Sequence, residues 1–349
     1  MNEIKIDNFT INNQSSTFII AELSCNHNHD FEIACKTIEY AKKAGADAIK
    51  LQTYTPDTIT IDCDNEFFQI KQDTLWDGQT LHQLYGKAYT PWEWHSELQK
   101  VAEKNNLIFF SSPFDYSAVD FLEKLNVPAY KIASFEITDI PLIEYVAKRN
   151  KPIIISTGIA EYEHIVDAVN ACKNQNNNQI ILLKCTSAYP APIQEANLLM
   201  LKELKEKFNT IVGISDHTIG SLVPVTSVAL GAKVIEKHFI LDKSIGGPDV
   251  EFSLDFDEFK EMVEDVRNAE KSLGKVSFNL SERVKKNKIF QRSLFIVKDV
   301  NKGDILSIEN VRSIRPGYGM LPKNLNKVLG KKFNQSYSRG TPLQEDMFE

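Results

Sequence analysis

No run of residues in this chain approaches the roughly 20 apolar positions that a membrane-spanning helix needs. The opening stretch MNEIKIDNFTINN also lacks the basic-then-apolar order of a secretory leader. Cysteine is scarce: Cys25, Cys35, Cys63, Cys172 and Cys185 are odd in number and never take a CxxC spacing. That argues against a disulfide framework or a thiolate zinc site and points to reduced thiols in a cytoplasmic protein. There is no excess of positive charge either. The net charge is −7 and the isoelectric point is near 5.6, so nucleic acid is not the expected main partner, because phosphate backbones demand a basic surface. A small anionic substrate stays open, since it needs only a few local cations. No GxGxxG follows the first apolar run, which removes the usual mark of a dinucleotide-binding open sheet.

What is present is a regular alternation. The chain has 349 residues, 42% of them hydrophobic and 25% charged, enough for one large soluble domain and a small one. Short continuous apolar runs occur at 18–23, 48–52, 107–112, 129–134, 153–157, 180–185, 210–215 and 233–238. Continuous rather than alternating runs are expected of parallel strands covered on both faces. Helical patterns lie between them. Asp30 is placed to cap a segment with Phe31, Ala34, Cys35, Ile38 and Ala41 on one face, and Gly45 to end it. The last such segment carries Phe259, Met262, Val263, Val266, Ala269 and Leu273 before Gly274. Eight strand–helix repeats over 1–274 predict a TIM (β/α)₈ barrel. Residues 53–90 form a long excursion after the second strand. A polar linker (275–289) then precedes a compact, mostly β module over 290–349, rich in turn residues and with little core of its own.

In such barrels chemistry gathers at the C-terminal strand ends. The residues there are Glu22; Lys50 and Gln52; Ser111 and Ser112; Lys131, Ser134 and Glu136; Ser156 and Thr157; Thr186 and Ser187; Ser215, Asp216 and His217; and Glu236, Lys237 and His238. Singly, a lysine there can snorkel and a serine can cap a helix. Together, lysines supply point charge and hydroxyls supply rotatable donors for a small anion. Lys50 and Lys131 lie inside apolar runs, where an unpaired charge is costly, and a bound anion gives a reason for them. His217 and His238 end adjacent strands, and two neutral imidazoles with open positions suit a first-row divalent ion such as Mn²⁺. The alternative is that one is a hydrogen-bonded core histidine. Glu22 and Glu236 are the carboxylates available for proton transfer, with Glu236 alternatively holding a lysine or a histidine.

The motifs AELSCNHNHD (21–30), AGADAIKLQTYTPD (44–57), SSPFD (111–115), YKIASFE (130–136), LKCTSAYPAP (183–192), GISDHTIG (213–220) and GAKVIEKHFILD (231–242) resemble those of the sialic acid synthase family. The terminal module, with QRSL (291–294) and IRPGYG (314–319), resembles that family's small antifreeze-like SAF domain. The resemblance covers essentially the whole chain. It implies condensation of phosphoenolpyruvate with an acetamido sugar by a metal-dependent homodimer, the metal usually being Mn²⁺. It implies Glu22 as catalytic glutamate, His217 and His238 as metal ligands, and Lys50, Ser112, Lys131, Ser134, Ser156, Ser187 and Ser215 around phosphoenolpyruvate. Gln52, Glu136, Tyr189 and Asp249 match positions around the sugar, and Arg315 an arginine that the partner subunit's small domain inserts. There are departures: Ser24 and His29 replace common glycines, Ser187 stands where the neuraminic enzymes have Asn, and Gly246-Gly247 precedes Pro248. The stretch 75–95 looks like the branch that takes 2,4-diacetamido-2,4,6-trideoxy-altrose, with Trp76, Trp92 and Trp94 either walling the sugar or packing helix on barrel. N-acetylmannosamine and the legionaminic precursor are the other acceptors. Rival readings are a Schiff-base aldolase using Lys131 or Lys184, and a carbohydrate- or ice-binding role for the terminal module, against which the charged Arg315 loop speaks.

Overall fold

The computed structural model describes residues 3–71 and 76–349. The chain divides into two compact units, Met1–Gly274 and Lys275–Glu349. The first opens with an antiparallel hairpin, β1 (Ile4–Ile6) and β2 (Phe9–Ile11). The sequence pattern did not single this hairpin out. It buries Ile4, Ile6 and Ile11 and sets Phe9 against Phe18, 4.9 Å between ring centroids, at the N-terminal start of the next strand.

Eight parallel strands then close into a barrel: β3 (Phe18–Glu22), β4 (Ala48–Thr53), β5 (Ile108–Pro113), β6 (Tyr130–Ile132), β7 (Ile153–Ser156), β8 (Ile180–Cys185), β9 (Ile211–Asp216) and β10 (Val234–His238). The TIM (β/α)₈ architecture read from the alternation is the one observed. After β3 comes α1 (Phe31–Lys43); after β4 come α2 (Pro56–Ile59), α3 (Leu81–Ala88) and α4 (His95–Lys104). The later strands are followed in turn by α5 (Tyr116–Lys124), α6 (Ile140–Ala147), α7 (Tyr162–Asn174), α8 (Met200–Phe208), α9 (Leu222–Ala229) and α10 (Phe256–Leu273). Among the described residues no helix is long and apolar enough to cross a membrane.

The local causes are visible. Asp30 caps α1 by accepting from the Ile33 amide, and Ala34, Ile38 and Ala41 face the core. Gly45 (φ 98°) turns the chain, and a Cβ there would stand 2.8 Å from Val263 Cγ1 on α10. On α10, Phe259, Met262, Val263 and Val266 are buried, each contributing about 1.5–3 kcal/mol. Leu273, which the pattern placed on the same face, is exposed at the last turn of α10.

The excursion after β4 is tied down by two buried histidines. His95 Nδ1 lies 3.2 Å from the Pro91 carbonyl and its Nε2 2.9 Å from Thr53 Oγ1, which in turn meets Ser111 Oγ at 2.6 Å. His27 Nε2 lies 3.0 Å from Thr90 Oγ1. Burial brings both imidazoles down to about 4, so they serve as neutral hydrogen-bonding pegs. Trp92 donates to the Tyr54 carbonyl and packs on Phe121, while Trp94 packs on His27 and Phe31. Both are packing residues. Of the 75–95 stretch, Leu75 lies outside the described residues.

The second unit begins with an exposed stretch containing α11 (Glu282–Lys286). It continues with β11 (Ser293–Ile296) paired antiparallel to β12 (Val311–Ile314), and a short α12 (Leu325–Val328). Leu294, Ile296, Leu306, Val311, Phe333 and Leu343 make its small separate core.

Candidate active site

The barrel register decides which side chains can meet. Glu22 is level with His238 on one side and Lys50 on the other, Gln52 with Ser112, and Ser215 with both Cys185 and Glu236. Four buried charges result. Lys50 Nζ lies 2.6 Å from Glu22 Oε2 and 3.8 Å from Glu236 Oε1, and Lys131 Nζ lies 3.8 Å from Glu236 Oε1. Ser215 donates to Glu236 Oε1 at 3.0 Å. The lysines are therefore not unpaired, as the sequence left them. Glu22 meets Lys50 across adjacent strands, whereas Glu236, on the last strand, reaches the two lysines only when the barrel closes. Burial works against the Lys50 charge, but Glu22 and Glu236 outweigh it and hold its pKa above the ordinary lysine value. Burial wins at Lys131, aided by the Lys50 charge and only partly offset by Glu236, so its pKa falls. Glu236 is disfavoured by burial, yet Lys131 and Lys50 keep it below the usual carboxylate range.

Next to this cluster lies a group of hydroxyls. Ser112 Oγ is 3.4 Å from Lys50 Nζ. Ser134 and Glu136 sit in a 3₁₀ turn just after β6, and Ser187 Oγ donates to Ser134 Oγ at 2.8 Å. Ser156 ends β7 with a buried hydroxyl that has no partner among the described residues. Gly158 approaches this group so closely that a Cβ on it would stand 2.1 Å from Ser187 Oγ and 2.5 Å from Ser134 Oγ. Other hydroxyls of the strand-end set are committed elsewhere: Ser111 to Thr53, Thr157 to the Leu183 carbonyl, and Thr186 to the Glu195 carbonyl.

His217 and His238 face one another with ring centroids 5.3 Å apart. His217 Nδ1 lies 3.0 Å from the Thr186 carbonyl, and His238 Nδ1 lies 3.4 Å from Asp249 Oδ2. An Nδ1 turned to an oxygen, as here, would leave Nε2 of each ring as the nitrogen available to a metal. Among the described residues no group of three or more His, Cys, Asp or Glu side chains converges as a metal cage. Two imidazoles with ring centroids 5.3 Å apart are a donor pair that a divalent ion would have to complete with substrate and water.

Ser24, which the sequence marked only as a departure from glycine, joins the expected Gln52 and Asp249 in one polar network. Gln52 donates to Glu22 Oε1 at 2.9 Å and to Ser24 Oγ at 3.0 Å, and Ser24 donates to Asp249 Oδ2 at 2.6 Å. Burial opposes the Asp249 charge, but His238, Ser24 and Cys25 together hold it below the ordinary range. Ser24 (φ 46°) and His29 (φ 56°) both occupy the left-handed region, which explains why glycine is common there. Lys237 and Asp216, both buried, pair at 2.6 Å between the histidine-bearing strand ends, and Asp216 also holds Thr218. The Lys184 amine donates to the Cys185 carbonyl and Thr186, away from this cluster.

Above the charged cluster a cavity of about 550 Å³ is lined by Gln52, Ser134, Glu136, Tyr189, His238 and Asp249. Its other wall comes from the excursion and Trp76, whose Nε1 donates to the Pro248 carbonyl. Tyr189 packs on His217 at 4.5 Å and on Trp76 at 5.7 Å. Burial pushes the Glu136 carboxyl up to about 7, with Lys131 pulling the other way, and its Oε2 has no hydrogen-bond partner among the described residues. Arg315 belongs to the second unit, exposed in the loop that follows β12.

Known proteins resemble this chain over nearly its whole length. The NeuB family model matches residues 37–278 and the SAF domain model residues 291–349. A pseudaminic acid synthase of Campylobacter jejuni is 50% identical over 345 residues, covering 99% of this chain and 100% of the relative. An N,N'-diacetyllegionaminic acid synthase of the same species is 39% identical, covering 94% of this chain and 99% of the relative. The crystal structure of an N-acetylneuraminic acid (sialic acid) synthetase from Leptospira borgpetersenii, in complex with citrate, superposes with a TM-score of 0.72. It is 32% identical and covers 82% of this chain and 95% of that one.

Proposed function

The chain belongs to the NeuB family, and from that premise we propose that it condenses phosphoenolpyruvate with 2,4-diacetamido-2,4,6-trideoxy-altrose and water to give pseudaminic acid and phosphate. The observation that carries the reading is continuity. The cavity lined by Gln52, Glu136, Tyr189 and Asp249 also reaches Ser134 and His238, so a sugar in it would adjoin both the hydroxyl group and the histidine pair.

In this reading Lys50, Lys131, Ser112, Ser134, Ser156, Ser187 and Ser215 hold the carboxylate and phosphate of phosphoenolpyruvate. When bound, a divalent ion on His217 and His238, Mn²⁺ by family resemblance, would polarise the sugar aldehyde as a Lewis acid. C3 of phosphoenolpyruvate forms a bond to the aldehyde carbon, water adds at C2, and the C2–O bond breaks to release phosphate with the bridging oxygen. Addition of water at C2 liberates one proton, which Glu22 accepts and passes to the former aldehyde oxygen, while the proton of the new C2 hydroxyl leaves with phosphate as the C2 carbonyl forms. Gln52 fixes the Glu22 carboxylate for that task by donating to Oε1. The lysines offset the negative charge throughout. We assign Arg315 to the sugar end of the partner subunit's site in a swapped homodimer, in a cytoplasmic enzyme.

The test is phosphate release from phosphoenolpyruvate labelled with ¹⁸O in the bridging position, offered with each of the three candidate sugars. Label in the phosphate and preference for the altrose derivative are expected. Activity should vanish after chelation and return with Mn²⁺. Full turnover by the stripped protein would remove the metal, and a borohydride-trapped pyruvate adduct on Lys131 would replace the mechanism with a Schiff-base one.

A further inference from the structure

The cavity has two unlike sides. The barrel side carries Gln52, Ser134, Glu136, His238 and Asp249, whereas the side built by the excursion carries Ile59 of α2, Ile70, and Leu81, Leu84 and Ala88 of α3. Tyr54, with Tyr85 and Phe114 edge-on to it at 5.6 and 5.1 Å, lines the cavity together with these aliphatic side chains. Helical spacing alone makes Leu81, Leu84 and Ala88 read as ordinary core. Here they face a cavity.

From this polarity we infer that the wall made by Ile59, Ile70, Leu81, Leu84 and Ala88 is the specificity filter that accepts the deoxygenated C6 end of the acceptor sugar. The inference rests on the condensation proposed above. The aldehyde end must lie by the histidine pair and the anion-binding serines, which places the opposite end of the sugar against the excursion. A methyl group there loses nothing on leaving water, while a hydroxyl finds no donor or acceptor among those five side chains and must turn to the phenol groups of Tyr54 and Tyr85, which line the same cavity. The unpartnered Glu136 Oε2 on the polar side is suited to accept an acetamido N–H, which the same sugar supplies. A hydrophobic pocket rejects an added hydroxyl by only about 10- to 100-fold, so the filter is a preference, not an absolute bar. The legionaminic precursor, also 6-deoxy, passes it equally.

The experiment measures kcat/KM of the full-length protein, loaded with Mn²⁺, for 2,4-diacetamido-2,4,6-trideoxy-altrose and for its 6-hydroxy counterpart. The wild type should favour the deoxy sugar by about 10- to 100-fold. Leu84→Asn, which places an amide in the wall, should shrink that ratio to within about threefold while leaving the phosphoenolpyruvate KM unchanged. Ala88→Phe, which grows into open cavity and so spares the fold, should raise the acceptor KM about tenfold and leave the phosphoenolpyruvate KM alone. If the wild type discriminates but neither variant moves the ratio or the acceptor KM, the filter lies elsewhere and the inference is overturned. If the wild type does not turn over the deoxy sugar at all, the proposed reaction itself fails, a result that cannot be confused with the first.

Discussion

Replacing Gly158 by alanine adds one methyl group to the active site at a point where the structure leaves it no room. Gly158 does not occupy the left-handed region, so alanine can adopt its backbone conformation and the effect falls on the space in front of it. The new Cβ would stand 2.1 Å from Ser187 Oγ, 2.5 Å from Ser134 Oγ and 3.1 Å from Cys185 Sγ. At least one of the two hydroxyls, now 2.8 Å apart, has to swing away. A hydrogen bond to a charged group contributes about 1.5–3 kcal/mol. Losing one from the phosphate therefore weakens phosphoenolpyruvate binding by about 10- to 150-fold, at 1.4 kcal/mol per tenfold. The assay is steady-state turnover with each substrate varied in turn, alongside a thermal melt to establish that the variant is folded. The expected signature is a raised KM for phosphoenolpyruvate with the acceptor KM little changed. Ser187→Ala should add little in the Gly158→Ala background, because the displaced hydroxyl has already left the phosphate. A phosphoenolpyruvate KM within twofold of wild type in a folded variant would refute the reasoning.

Glu22→Gln removes the assigned proton acceptor and should lower kcat by about 10²- to 10⁴-fold, read by phosphate release; loss confined to KM would assign Glu22 to binding instead. Lys237→Met strands the buried Asp216 charge and should destabilise the protein by about 3–5 kcal/mol, seen as a lower melting temperature. Pairing it with Asp216→Asn should recover part of that loss. Glu136 titrates at about 7 in the folded chain against an ordinary value of 4.5. Between those values the folded protein holds a proton that the unfolded chain has lost, so its contribution to stability declines as pH rises from about 4.5 to 7. Because the ionised form is the better N–H acceptor, the acceptor KM should rise as pH falls through about 7, and Glu136→Gln should flatten both profiles.

The barrel was legible because its strands are buried on both faces and therefore read as unbroken apolar runs, and because Asp30 and Gly45 mark their helix so plainly. The strand-end residues were legible as a set for the same reason, since closure brings every strand end to one face. The pairing of Lys50 and Lys131 with Glu236 was not, because Glu236 belongs to the last barrel strand and only closure brings it to the early strands. The excursion was read by its tryptophans, yet Trp92 and Trp94 pack inward and Trp76 alone of the three lines the cavity. Aliphatic side chains at helical spacing carry no sign of whether they face a core or a ligand.

The four charges at the bottom of the site, two ammonium groups and two carboxylates, sum to zero. The barrel can therefore be assembled around two buried lysines with no ligand in place. An arriving anion finds those lysines already engaged and must share them with Glu22 and Glu236. That competition weakens the grip on every anion that enters, the departing one included. Bare lysines would seize phosphoenolpyruvate more tightly and then hold inorganic phosphate as stubbornly, choking the enzyme on its own by-product. In the proposed binding mode, the carboxylates that temper substrate affinity are thus also what would let the site empty.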